Sequence, residues 1–185
     1  MKIAFGVRHF RMVGGAELFS LRLAAYLRDR GHELTVYAIT GAPMDGVRLQ
    51  LLPVSPLCPR FRYFWMPGGL MAEQLARADA DVTFGEQKIW NANVVRPGGG
   101  VEAVFWDYYL RRKWKSERLA RLVRGFYPKR YHDLAAERES LLCPSSRAII
   151  VNSDLVRRQM IRCYPATADR IRVVHNGVVL PARSP

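Results

Sequence analysis

"RHFRMVGGAELFSLRLAAYLRDRGH", residues 8–32, decides how this chain folds, because it joins one strand-like run, "KIAFGV" at 2–7, to another, "ELTVYAI" at 33–39. A basic loop leaves the first strand, Gly14 and Gly15 fall together, and a helix follows to about Arg30, where Gly31 stops it. Leu18, Leu21, Ala25 and Leu27 lie near one face of that helix. Paired glycines at a helix start let the backbone approach a ligand closely, and the first unbonded amides of the helix point at it with a favourable dipole. Gly14 and Gly15 therefore mark either an anion site or simply a tight strand-to-helix turn. Neither G-x-G-x-x-G nor G-x-x-x-x-G-K-[ST] occurs, which argues against a nicotinamide dinucleotide fold and a P-loop ATPase.

Outward from this unit the alternation continues. "VRLQLLPV" (47–54) and "DVTFGE" (81–86) read as strands, with the helix "LMAEQLARA" (70–78) before the latter. Residues 55–69, rich in proline and aromatics, read as a loop with a short helix, and 87–130 as irregular and then amphipathic. "RYHDLAAERESLL" (130–142) reads as a helix, "RAIIVNS" (147–153) as a strand, "SDLVRRQMIRCY" (153–164) as a helix capped by Ser153 or Asp154, and "RIRVVHNGV" (170–178) as a closing strand with an Asn-Gly turn. Strands and helices in this order predict an α/β fold, a Rossmann-like parallel sheet with helices on both faces. Residues 1–178 are expected to form one domain, and 179–185 the start of a linker or tail.

Hydrophobic residues are 49% and charged residues 24%, the balance of an ordinary globular protein. The formal charge is +13, which favours anionic partners: nucleic acid, an anionic membrane face or a phosphorylated substrate. Cys58, Cys143 and Cys163 have no CxxC or zinc-ligand spacing and read as reduced thiols, and no metal or other cofactor is expected. The chain opens directly into a strand and has no apolar run of membrane-spanning length, so the expected location is cytoplasmic.

The sequence also resembles a known family. "GGAELFSLRLAAYLRDRGHELTVYA" is similar to the opening of family 4 glycosyltransferases of the GT-B architecture, and "RAIIVNSDLVRRQMIRCYPATADRIRVVHNGV" to the end of their N-terminal domain. Within that family, "RPGGGVEAVFWDYYLRR" (96–112) resembles the sugar transferases that build the lipopolysaccharide core. Those members often carry an acidic residue within the glycine stretch and a histidine just after it; here the matching positions are Gly99 and Glu102, a departure that bears on acceptor and catalysis. The resemblance implies a glycosyltransferase, retaining in stereochemistry, with a nucleotide-sugar donor and a membrane-associated glycolipid or lipopolysaccharide-core acceptor. It also implies a second, donor-binding GT-B domain beyond Pro185, on a longer or separate chain, so that these 185 residues are the acceptor-side half and inactive alone.

On that reading Gly14 and Gly15 receive the donor phosphates and Glu102 is the catalytic candidate. Arg8, His9, Arg11, Glu17, Glu86, Lys88 and Arg96 are candidates for acceptor contact, several of them at strand C-terminal ends, where open parallel sheets place ligands. His32, His132 and His175 read as structural residues. Asn152 and Ser153 fit substrate contact and helix capping equally.

Residues 111–130 hold nine Lys or Arg against one acidic residue. Leu119, Leu122, Val123 and Phe126 have the spacing of an apolar helix face, with Arg118, Arg121 and Arg124 beside or opposite it. A basic helix edged by aromatics is built for a membrane interface, so Trp106, Arg111, Arg112, Lys113, Trp114, Lys115, Arg118 and Arg121 are expected to bind the anionic inner face of the cytoplasmic membrane, making the protein peripheral there. The rival reading is a non-catalytic module that binds anionic lipid or nucleic acid through residues 105–130. Nucleic acid is the weaker option, since no RNP, zinc-finger or helix-turn-helix signature occurs.

Overall fold

The computed structural model describes residues 1–12, 14–54, 57 and 65–177. The expectations for Cys58, most of the 55–69 loop, Val178 and 179–185 lie outside the described residues.

Strands β1 (Lys2–Gly6), β3 (Glu33–Ala38), β5 (Val47–Leu51), β6 (Val82–Glu86), β7 (Val94–Arg96), β8 (Ala148–Val151) and β9 (Ile171–Val173) form one sheet in the order β5-β3-β1-β6-β7-β8-β9. Every pairing in it is parallel. Two short strands, β2 (His9–Phe10) and β4 (Thr40–Gly41), pair outside it. Chain order runs outward from β1 to one edge and then resumes at β6 on the other side. The carboxyl ends of β1 and β6 therefore flank the crevice where such sheets bind ligands.

Alternation along β1 explains why both faces are covered. Ile3 and Phe5 join one apolar cluster with Leu34, Val36 and Ala24 of helix α1 (Gly15–Asp29). Ala4 points to the other, shared by Met71 and Leu75 of α2 (Trp65–Arg77), Leu141 of α5 (Pro128–Leu142) and Met160 of α6 (Asp154–Cys163). Burying a side chain such as Phe5 or Ile149 fully contributes about 1.5–3 kcal/mol. Ser153 caps α6, its hydroxyl accepting from the Val156 amide at 3.3 Å.

Residues 105–130 depart from a single amphipathic helix. Helix α3 (Glu102–Trp114) ends at Lys115, whose φ of 49° breaks the path, and α4 (Glu117–Val123) restarts from a Ser116 cap. Helix α3 turns Trp106 and Leu110, one turn apart, inward. On α4 it is Ala120 that is buried, while Leu119, Leu122 and, just beyond, Phe126 face out. Trp106 is therefore not a membrane-facing residue: it is 5% exposed and donates its Nε1–H to Asp133 Oδ2 at 3.3 Å.

Candidate active site

At the carboxyl end of the sheet, a cleft of about 450 Å³ is lined by Gly15, Lys88, Arg96, Glu102 and Asn176, with the Pro97–Gly99 turn at its rim. Four residues singled out in the sequence thus converge here. The first turn of α1 contributes Gly15 and Ala16 at its open amide end. Gly14 is the cap in an extended conformation, and a Cβ on it would lie 3.0 Å from the Glu17 carboxylate. Nothing stands within 4 Å of the corresponding point on Gly15, which leaves the helix end open.

The chain just after β6 is folded for this site. Gln87 sits at φ 62°, the left-handed region that non-glycine residues seldom occupy. That twist separates its neighbours: Glu86 goes inward and Lys88 toward α3. Glu86 is the register partner of Arg96 on β7, and its Oε1 accepts from an Arg96 guanidinium nitrogen at 2.7 Å. The same guanidinium reaches Asn176 Oδ1 at 3.0 Å and lies over the Phe19 ring, 3.7 Å from its centroid. Burial pushes the Glu86 carboxyl up to about 7, against the pull of Arg96. In the "PGGG" turn, Gly98 and Gly100 have φ of 72° and 103°, a conformation that favours glycine at both.

Lys88 Nζ meets Glu102 Oε1 at 2.6 Å and lies 3.9 Å from Asp133 Oδ1. Glu102 opens α3, and its backbone amide, which has no partner within its own helix, donates to Glu137 Oε1 of α5 at 2.8 Å. Glu137 is 2% exposed, and its Oε2 accepts from the Tyr164 hydroxyl at 2.7 Å. Burial raises Glu137 to about 7 and, with Glu137 beside it, holds the Tyr164 phenol well above its usual range. Asp133 and Glu137, one turn apart on α5, thereby fix both members of the Lys88–Glu102 pair; Asp133 also pairs with Lys129.

The sequence reading did not find Asp133, Glu137, Tyr164 or Asn176. A signal existed for two of them: Asp133 and Glu137 fall in phase with Ala136, Ser140 and Leu141 on the buried face of α5.

Arg8 is buried in a small pocket that it shares with Glu86, Gln87 and Lys88 as well as Pro67, Gly68 and Met71, so it borders the cleft residues; the His9 ring meets the Thr40 hydroxyl at 2.8 Å, and Arg11 is exposed. Burial, with Arg8 nearby, lowers the His9 pKa. On the outer segment, Arg111 pairs with Asp107 and Glu117, Arg121 with Glu117, and Lys113 lies near the rings of Tyr109 and Tyr127. Trp114 donates to the Tyr127 hydroxyl at 3.2 Å, while Arg112, Lys115 and Arg118 are exposed. Among the described residues no three His, Cys, Asp or Glu side chains converge as metal ligands would, and no helix is long and apolar enough to cross a membrane.

An open helix end and two basic side chains at the switch point of a seven-stranded parallel sheet suit a phosphate-bearing ligand. Residues 13–180 match the family described as Glycosyltransferase Family 4. The chain belongs to that family. The fold agrees with solved glycosyltransferases. Over 96% of this chain and 45% of that one, it superposes on WaaG, a glycosyltransferase involved in lipopolysaccharide biosynthesis, with a TM-score of 0.74 and 19% identity. A sucrose-phosphate synthase from Thermosynechococcus elongatus gives 0.60 at 15% identity, over 96% of this chain and 48% of that one. A ugt transferase from Siraitia grosvenorii in complex with UDP gives 0.52 at 16% identity, over 99% and 49%. The chain thus spans a little under half the length of each of these proteins. No curated protein matches the sequence.

Proposed function

We propose that this domain is the acceptor-side half of a glycosyltransferase that moves a sugar, with retention, from a nucleotide-sugar to a membrane-associated glycolipid or lipopolysaccharide-core acceptor. Catalysis requires the second, donor-binding half. The observation that carries the reading is the cleft in which the amide end of α1 meets Lys88 and Arg96. A leaving diphosphate there gains from the helix end and from both cations, stabilisation that grows as the sugar departs and charge accumulates. Both cations already hold carboxylates, so the ligand has to share them; Arg96 retains further N–H donors for the purpose. Glu102, at the cleft wall and paired to Lys88, is the carboxylate placed to receive or orient the acceptor hydroxyl. No metal or other cofactor is invoked.

The membrane part of the proposal rests on Leu122 and Phe126, 71% and 81% exposed, set among the basic residues of α3 and α4. Without Trp106, the membrane-facing set is Arg111, Arg112, Lys113, Trp114, Lys115, Arg118 and Arg121, at the inner face of the cytoplasmic membrane.

Two titrations test the proposal. Inorganic pyrophosphate should shift the backbone amide resonances of Gly15 and Ala16, and Arg96→Gln should weaken that binding; unmoved amides at saturating pyrophosphate would sink the cleft assignment. Vesicles of phosphatidylglycerol and phosphatidylcholine should sediment the chain at low salt, and the change of Arg111, Arg112, Lys113 and Lys115 to Glu should abolish this. A chain that stays in the supernatant removes the membrane from the proposal and leaves the cleft standing.

A further inference from the structure

A second cavity, of about 170 Å³, opens between α3, α4 and α5, away from the cleft. Its walls carry Asp107, Arg111, Glu117, Arg121, Arg124 and Arg130 over a floor that includes Leu110 and Ala120, giving four guanidiniums against two carboxylates. The carboxylates are committed: Arg111 Nε binds Asp107 at 2.9 Å, and Glu117 is shared by Arg111 at 3.3 Å and Arg121 at 2.8 Å. Among the described residues the Arg124 side chain has no hydrogen-bond or ion-pair partner, and the Arg130 side chain makes only a ring contact with Tyr131. The cavity therefore presents an excess of two positive charges, concentrated on the two arginines that no carboxylate neutralises.

We propose that this cavity binds one phosphate group, that of an anionic membrane lipid. Arginine forks match phosphate oxygens in pairs, and a phosphate carries the charge that the cavity lacks. The lipid is favoured over free phosphate because Leu122 and Phe126, close in sequence to Arg121 and Arg124, are exposed. One molecule with a phosphate head and apolar tails satisfies the cavity and these side chains together. The inference rests on the membrane reading above and deepens it, turning a diffuse basic surface into a site with a defined headgroup contact.

The test uses dihexanoyl-phosphatidate below its micelle concentration, inorganic phosphate, and vesicles of phosphatidylglycerol and phosphatidylcholine, each titrated into the chain. Two variants remove equal charge: Arg124→Gln with Arg130→Gln inside the cavity, and Arg22→Gln with Arg30→Gln at exposed positions on α1 and at its C-terminal cap, outside it. Circular dichroism checks that both fold. The expected result is tighter binding of the short lipid than of phosphate, weakened about tenfold or more by the cavity pair and unchanged by the outer pair. Equal effects of the two pairs on the short lipid would overturn the site while leaving any vesicle binding intact. Phosphate binding as tightly as the short lipid would overturn the lipid assignment. Short-lipid binding lost only in the cavity pair, with no vesicle binding by the wild type, would uphold the phosphate site and defeat the membrane reading instead.

Discussion

Glu137→Gln is the perturbation that most directly tests the organisation of the cleft wall. Glu137 is buried, accepts from the Glu102 amide and the Tyr164 hydroxyl, and titrates near 7 in the folded chain against an ordinary 4.5. Between those values the folded state holds a proton that the unfolded state has released, so stability falls as pH rises through the window. At about 1.4 kcal/mol per pH unit, the gap from 4.5 to about 7 is worth about 3 kcal/mol, present below pH 4.5 and lost above 7. Glutamine keeps one acceptor for the Glu102 amide and offers an N–H₂ to the Tyr164 oxygen, without the charge. The variant should match the wild type near pH 5 and exceed it by about 2–3 kcal/mol at pH 8, or about 4–12 °C in Tm for a chain of this size. Urea denaturation of both proteins at intervals from pH 5 to 8 measures this. A stability difference that does not change with pH would refute the reasoning, because it would mean that Glu137 is already ionised at pH 5.

Three further outcomes follow from the same geometry. Arg96→Met strands the Glu86 carboxylate beneath the cleft and should cost about 3–5 kcal/mol by urea denaturation, with Glu86→Gln recovering part of the loss in the double variant. Gly98→Ala, at φ 72° and 3.3 Å from Glu86 Oε1, should cost about 1–2 kcal/mol, whereas Gly99→Ala, with open space around it, should change stability by under about 0.5 kcal/mol; equal effects would contradict the turn geometry. Trp106→Ala should cost about 3–5 kcal/mol by thermal unfolding, and Trp114→Ala, at a partly exposed site, under about 1 kcal/mol.

The parallel sheet was legible because most of its strands are long enough to show themselves as apolar runs, and because Gly31 follows the end of α1 and Ser153 caps α6. Strand β7 was not, for a physical reason: three residues carry no measurable period, and Val94–Arg96 is a strand only because β6 and β8 lie on either side to pair with it. The same limit applied to the outer segment. The spacing of Leu119, Leu122 and Phe126 is helical, but spacing cannot say which face a helix buries once a left-handed residue has reset its direction. Lys115 does that here, and α4 packs through Ala120 instead.

The site divides in the same way. Gly15, Lys88, Arg96 and Glu102 could be found because the elements that bear them end at the carboxyl edge of the sheet, and strand order alone brings those ends together. Asp133 and Glu137 act from a helix 30 or more residues further along, and what they do depends on how α5 seats against the start of α3. Two carboxylates on a buried helix face are costly unless they are partnered; here an amide at the start of another helix, a phenol, an indole and Lys129 bind them, while Asp133 Oδ1, which has no hydrogen bond, has Lys88 at 3.9 Å. Removing either carboxylate therefore breaks a link that holds Lys88 and Glu102 at the cleft wall. An acidic residue in phase with the apolar face of a helix is the one sequence signal that marks such a support, and on α5 it occurs twice, four residues apart.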